Sequence, residues 1–560
     1  MLIKLFKLVL ILLLYQGPLY SKNKTLNDFN LRHLSNYFSG IVAYENQDNF
    51  KALKFFKYSK FLINQHNSYL ERYIYSLVLE GKVQLATNEI KQNLTENNSK
   101  FFEAHLLLAI DSLKKKKYKK SKNHLEQSYA FINNDKVSLI IVETLKRYLY
   151  VFEENKIPRT KKKFGNFSFI NEVFQRCYLN DKNIQTYFDQ MINSGDNENA
   201  RYIFFYINYL IENNEYNKAK EVTNDLDYLT SSLLISQGKK WVEDQQFKEL
   251  KKIFSCRNSN DLISELFFLV ANLYSSQEDY EQSNFYVNIA YYLNPKFNFN
   301  LSLLAENYYF NKDYLKTSKT LETFNKKNEI YYWFKIKKEA QMISLQQNPV
   351  AAINFINLKF KQIKNPSIKI IFDVANFSKN AKKYKEAIKF YDLIISKIDV
   401  NSILYAEILY RRGISYERLG DYKNSDKDLL KSLKINPDEA YVLNYLAYSW
   451  LERKYRIDAA VQMLEKAYNI RNNDPYIIDS IGWAYYLIDD YIKAEKFLKK
   501  AVELMPEDPT VNDHYGDILW KLDRKIQARY FWKSVLNLKE TEEKMRKIII
   551  DKLIKGLKIS

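Results

Sequence analysis

Residues 475–508 read PYIIDSIGWAYYLIDDYIKAEKFLKKAVELMPED. Ile478, Ile481, Gly482 and Tyr485 stand at spacings of 3, 1 and 3, which puts them on one face of a helix. Ala494, Leu498 and Ala501 follow at spacings of 4 and 3 on a second helix, and Pro506 denies it continuation. Gly482 and Ala494 are small where two helices cross, so the backbones can approach to roughly 8–10 Å. The stretch predicts a helical hairpin that cannot bury its apolar face alone.

The pattern recurs on both sides. Gly413, Ala447, Gly482 and Gly516 are separated by 34, 35 and 34 residues, and Ser425, Ala460, Ala494 and Ala528 follow each by twelve or thirteen. Self-similarity at this period means stacked hairpins, each packing on its neighbours. Upstream the phase persists in weaker form. Gly40 pairs with Ala52, Ile74 with Ala86, Ala109 with Ser121, Ile207 with Ala219 and Gly238 with Leu250. Ala271 pairs with Ser283, Ala305 with Thr317, Ala340 with Ala352 and Ala375 with Ala387.

The C-terminal residues resemble the tetratricopeptide repeat (TPR): apolar residue, Gly or Ala, aromatic, then Ala, aromatic or Leu, Ala and Pro. Gly482, Tyr485, Ala494, Ala501 and Pro506 carry the match, repeated by Gly413, Tyr416 and Pro437, by Ala447, Ala460 and Ala467, and by Gly516, Ala528 and Trp532. The resemblance implies an all-α, right-handed superhelical solenoid of about thirteen hairpins. A closing helix is expected over 541–560, where Met545, Ile549, Leu553 and Leu557 are spaced by four and the outer face reads as lysine-rich. Eleven glycines and nine prolines in 560 residues disfavour a loop-rich β or α/β fold.

The expected organisation is a signal peptide at 1–21, a first array over 22–134 and degenerate repeats over 135–200. Divergent repeats follow over 201–400, well-matched ones over 401–540, and the cap. Lys4 and Lys7 precede the apolar run Leu8 to Tyr15, then Gly17, Pro18 and Ser21. That is a charged segment, a short apolar core and a small residue before a cut, so export is expected. The run is too short to favour a membrane anchor, and no cysteine follows it to carry a lipid. The stretch 157–165, with Pro158, Lys161–Lys163 and Gly165, reads as an exposed basic linker. Cys177 and Cys256 fall about two repeats apart in this register, which predicts two free thiols. The sequons at Asn93 and Asn166 are what an Asn-rich chain produces by chance.

The net charge is +20, yet residues 436–535 hold 16 acidic and 14 basic side chains. The excess lies elsewhere, notably in Lys114–Lys117, Lys119, Lys120 and Lys122, which the register places at a turn between helices. A solvated turn is the plain reading, and attraction to an anionic membrane surface or acidic glycan the functional one. Nucleic acid is not expected as a partner.

Catalytic motifs are missing: there is no Gly-rich phosphate loop, no Gly-x-Ser-x-Gly and no histidine pair at metal-ligand spacing. His514 reads as a hydrogen-bonded residue near a helix start. No enzyme activity and no cofactor or metal are expected.

In TPR arrays the first helix of each hairpin lines the concave face. The resemblance therefore implies a partner-binding groove of Tyr441, Asn444, Tyr448 and Leu451, then Tyr476, Asp479, Trp483 and Tyr486, then Asp513, Asp517 and Trp520. Rings with fixed hydrogen-bonding groups suit an extended or helical peptide. The carboxylates argue against an acidic peptide, and Tyr410, Ile414, Asn444 and Tyr448 do not form the Lys/Asn clamp that holds one. The plain alternative is that these rings pack on the next repeat. The stretches Asn444 to Tyr448, Asp479 to Trp483 and Asn512 to Asp517 also resemble exported proteobacterial TPR proteins. These include lipoprotein adaptors of a carboxy-terminal processing protease and of cell-wall hydrolases. A non-enzymatic periplasmic scaffold for other proteins is the expectation. An envelope polysaccharide-binding factor is the alternative, and a cytoplasmic regulator a weaker one.

Overall fold

The structure is a computed structural model. It describes residues 31–64, 66–93, 101–132, 135–159, 164–193, 201–224, 226, 229 and 232–557. The expected signal peptide and residues 160–163 of the basic linker lie outside the described residues. Every regular element among the described residues is helical, from Leu31–Glu45 to Glu543–Lys555.

Each small-residue pair read from the sequence falls on consecutive helices, and every position in those pairs is buried. The cause is steric. A Cβ built on Gly482 would lie 2.7 Å from Leu498 Cγ, and one on Gly413 3.0 Å from Leu429 Cγ. The first helix gives up a side chain so that a large one from the second can lie against its backbone. Burying a leucine of this kind contributes about 1.5–3 kcal/mol. Aspartate closes the helix starts: Asp474 accepts from the Tyr476 and Ile477 amides ahead of Pro475, and Asp508 from Thr510 and Val511 ahead of Pro509. The turns take left-handed residues such as Lys454, Asp489 and Asp523. Lys116 does the same (φ 56°), so the lysine run does sit on a turn.

The chain forms two compact units, one ending at Tyr332 and one beginning at Trp333, with Leu229 counted to the second. In the first, repeats more than two hundred residues apart meet. Helix Asn67–Leu79 packs on Tyr280–Leu293: Tyr75 stacks on Phe285 at 4.5 Å, and Asn288 donates to the Leu79 carbonyl at 3.3 Å. Lys114 Nζ donates to the Tyr292 carbonyl at 2.7 Å, and Lys316 pairs with Glu80 at 3.2 Å. The second unit carries a continuous apolar core from Leu429 through Trp532 to Ile549.

Two expectations are corrected. Cys177 and Cys256 form a disulfide, their Cα atoms 5.8 Å apart. The free-thiol reading assumed regular stacking where the repeat in fact fails. Cys177 lies near the end of helix Gly165–Tyr178 and Cys256 in the loop after Phe247–Ile253. Aromatic packing of Phe174 and Phe205 on Phe254 brings that loop back, and Arg257 then reaches Asn180 and Asn213. The lysines of the closing helix are also not all external. Lys552 turns inward, drawn by two carboxylates, while Met545, Ile549, Leu553 and Leu557 pack on the core as expected.

Candidate functional site

Three first helices of the second unit, Ala440–Glu452, Pro475–Leu487 and Pro509–Lys521, carry the residues that the sequence assigned to a groove. Capping aspartates and prolines fix where the second and third of these begin, and so the phase of their outward faces. Tyr441 and Tyr476 are the most open. Tyr441 donates to Asp474 at 3.0 Å with Arg471 over its ring, and Tyr476 is 59% exposed.

The centre is an aromatic shelf. The Trp483 indole lies nearly parallel to Tyr486, centroids 4.6 Å apart, and to His514, 4.1 Å apart. Its Nε1 donates to Glu452 Oε1 at 3.3 Å. His514 is buried, with Nδ1 2.9 Å from Asp479 Oδ2. Burial disfavours the imidazolium. Asp479, through charge and hydrogen bond, and then Asp513 and Asp517 outweigh it, so the His514 pKa is raised. Tyr448 is half-buried beside Glu452, Asp479 and Asp513, and burial together with these charges raises its pKa well above the usual range. Asn444 Oδ1 is buried and has no hydrogen-bond partner. A buried amide acceptor of this kind is costly unless something donates to it.

Several assigned positions are not open. Leu451 is buried in the core. Asp479 is buried because it holds His514. Asp517 is buried under the closing helix: it accepts from Trp532 Nε1 at 3.0 Å and from Lys552 Nζ at 2.8 Å. Lys552 also donates to Asp513 at 2.6 Å. Burial and Asp513 raise the Asp517 pKa against the opposing pull of Lys552. Trp520 packs on Trp532 at 5.3 Å and beneath Gly556. The acidic end is thus covered by the chain's own lysine. The open face is Tyr441, Asn444, Tyr448, Tyr476, Trp483 and Tyr486. The packing alternative holds in part, since Trp483 rests on His514 of the next repeat. Glu452 and His514 are the contributors that the sequence reading left out of the groove. Glu452 lies one turn beyond Tyr448 on the same helix, a spacing that could have found it.

Residues 406–439 and 477–508 each match the family description "Tetratricopeptide repeat". These two stretches are tetratricopeptide repeats. It is 33% identical over 90 residues to a TPR repeat-containing protein of Pseudomonas aeruginosa, a match spanning 16% of this chain and 15% of that relative. Among solved structures it resembles MamA from Desulfovibrio magneticus (22% identity, 32% of this chain and 99% of that one, TM-score 0.27). It also resembles a thermophilic TPR protein of Thermus thermophilus (16% identity, 34% and 100%, TM-score 0.30). A third likeness is to a tetratricopeptide repeat protein from Parabacteroides merdae (14% identity, 45% and 97%, TM-score 0.37). Tetratricopeptide repeats are protein-interaction scaffolds and generally non-catalytic. No described helix is long and apolar enough to cross a membrane.

Proposed function

We propose that this protein is an adaptor of the Gram-negative cell envelope that holds a peptide segment of another exported protein. The binding face would be Tyr441, Asn444, Tyr448, Tyr476, Trp483 and Tyr486. The observations that carry this reading are the shelf of Trp483 and Tyr486 and, on the preceding first helix, the buried, unpartnered Asn444 Oδ1. A peptide backbone N–H would satisfy the amide while the rings bury an apolar side chain, the division of labour that anchors peptides in preformed grooves. Modest contacts repeated along several helices then sum over a preorganised surface. The Cys177–Cys256 disulfide supports an oxidising compartment, and so export, alongside the N-terminal sequence pattern. A processing protease or a cell-wall hydrolase would suit as client. The lysine turn at Lys114–Lys117 would favour an anionic membrane surface or glycan nearby.

The test is photo-crosslinking in cells from Tyr441 and Tyr476, the two most exposed rings of the face. Discrete protein adducts, weakened by Asn444→Ala, are expected. No adduct at either position, with retention on a column of envelope polysaccharide, would replace the peptide reading by the glycan one.

A further inference from the structure

The lysine turn of the first unit is more than a uniformly basic surface. Residues 112–125 hold seven lysines and no acidic side chain. The structure divides these lysines into two groups. Lys114 is turned onto the chain itself: its Nζ donates to the Tyr292 carbonyl at 2.7 Å and lies 3.5 Å from the centroid of that ring. Lys115 pairs with Asp111 at 2.8 Å, and Lys91 reaches the same carboxylate at 2.5 Å. Asp111, the acidic residue that immediately precedes the run, is thereby taken twice. Lys116, Lys117, Lys119, Lys120 and Lys122 are exposed, and their side chains make no hydrogen bond or ion pair with a described residue.

Four of the five surround one cleft. Lys116 is left-handed (φ 56°), and the chain reverses there between helix Phe102–Lys114 and helix Tyr118–Ser128. The reversal gathers Lys116, Lys117, Lys119 and Lys120 with Tyr118 and Asn123 around a cleft of about 520 Å³. Tyr118 is half-buried, its ring against Phe152 at 5.8 Å, so packing fixes one wall. Lysines this close repel one another. Lys119 and Lys120, in the first turn of their helix, also oppose its dipole, and no side chain caps that helix. The cluster therefore costs stability that no described side chain offsets, and an anion seated in the cleft would relieve it.

Charge and shape together select the ligand. Four cations within five consecutive positions crowd about one opening, so the complement is compact and dense in negative charge. Phosphate groups have that character: each offers several acceptor oxygens, and lysine binds them as a point charge. A polymer of uronic acids carries its carboxylates one per sugar along a line and would match a stripe of cations rather than a cluster. Among the described residues no large apolar side chain between Leu85 and Tyr150 is strongly exposed, so a bilayer would be met through its headgroups alone. We propose that the cleft at Lys116, Lys117, Lys119 and Lys120 binds a compact anion of two or three phosphate groups, either free in solution or borne by a lipid headgroup. That ligand class narrows the attraction to anions ascribed above to this turn, on which it rests, and owes nothing to the peptide face.

The test titrates the full-length chain with inorganic tripolyphosphate by calorimetry, near neutral pH and at low salt. A second arm sediments it with phosphatidylcholine vesicles, with and without cardiolipin, whose headgroup carries two phosphates. Binding in at least one arm is expected, and added salt should weaken it. Lys117→Gln combined with Lys120→Gln should weaken it about ten-fold, about three-fold for each exposed pair lost. Lys423→Gln combined with Lys427→Gln removes the same charge at exposed sites in the second unit and should leave binding unchanged. All four changes are at exposed positions, so melting temperatures should hold and a weakened affinity reports the cleft. Tripolyphosphate alone assigns the free anion, cardiolipin vesicles alone the headgroup, and both together the phosphate chemistry that they share. No binding in either arm, or equal weakening by the two double variants, overturns the site. Polygalacturonate tried beside a failed result separates the two readings: its binding would leave the attraction to anions standing, and its failure would remove that as well.

Discussion

Replacing Gly516 by alanine tests the small-residue rule where it is tightest. A Cβ there would stand 2.5 Å from Trp532 Cδ1 and closer still to Nε1. Trp532 is fully buried, and its indole N–H is engaged with Asp517. The ring cannot yield by moving a flexible end. It has to rotate, straining the 3.0 Å bond to Asp517 and the packing on Trp520. Overpacking of this sort costs about 1–3 kcal/mol. Losing a hydrogen bond to a buried charged group adds about 1.5–3 kcal/mol. Alanine's better helix propensity returns about 1 kcal/mol. The net expectation is a destabilisation of about 1.5–5 kcal/mol, read from urea midpoints followed by tryptophan fluorescence and by far-ultraviolet circular dichroism. Gly420→Ala is the comparator. Its Cβ meets nothing within 4 Å, and only its φ of +77° penalises the change, by about 1 kcal/mol. A second variant separates crowding from other causes. Ala447 and Leu464 share the core of an intact repeat, so Gly516→Ala combined with Trp532→Leu should recover over about 1 kcal/mol relative to the sum of the single changes. If Gly516→Ala is as stable as wild type, the steric account of the repeat is wrong.

Thiol titration of the unfolded, unreduced protein should find no free cysteine, and two after reduction; Cys256→Ser should lower stability by about 2–4 kcal/mol, and two reactive thiols without reduction would refute the bridge. Lys552→Met leaves Asp513 and Asp517 without their cation and should cost about 3 kcal/mol, with Asp517→Asn in the same chain restoring part of it; an unchanged melting temperature would show the contact to be superficial. Asp261 is buried, and burial raises its pKa to about 7 against the accepted Ser255 N–H bond. Its folded pKa lies above the unfolded one, so its contribution is intact below about pH 4 and is lost as pH rises through 7. Asp261→Asn should therefore be near neutral at about pH 4 and stabilising by up to about 4 kcal/mol at pH 8, in paired denaturation curves; the opposite order would refute the sign.

What could be read from the sequence was what neighbours in the chain decide. Gly482 against Leu498 and Ala447 against Ala460 are contacts inside one hairpin, so the constraint they impose repeats at the hairpin's own period. The helix caps at Asp474 and Asp508 are equally local. The Cys177–Cys256 bridge was not legible, because it depends on how Phe254 packs against Phe174 and Phe205 across a stretch without the period. Nor was the meeting of Tyr75 with Phe285. A nearest-neighbour pattern states that repeats stack, and is silent on whether a later repeat returns to an earlier one.

The same distinction divides the groove. Outward phase on a first helix made Asp479, Asp513 and Asp517 candidates equal to Tyr448 and Trp483. Phase alone cannot say which outward positions the chain itself covers. Asp479 is taken by a histidine of the next repeat, and Asp513 with Asp517 by Lys552 of the closing helix. Charged positions find intramolecular partners because leaving them unpaired at a helix–helix contact is expensive. Tyrosine and asparagine carry a smaller penalty, and these are the side chains left facing outward. The surface available to a partner in the second unit is therefore less acidic than the sequence suggests. It is aromatic and amide in character, and Asn444 Oδ1, buried without a hydrogen-bond partner, lies on the same helix as Tyr441 and Tyr448.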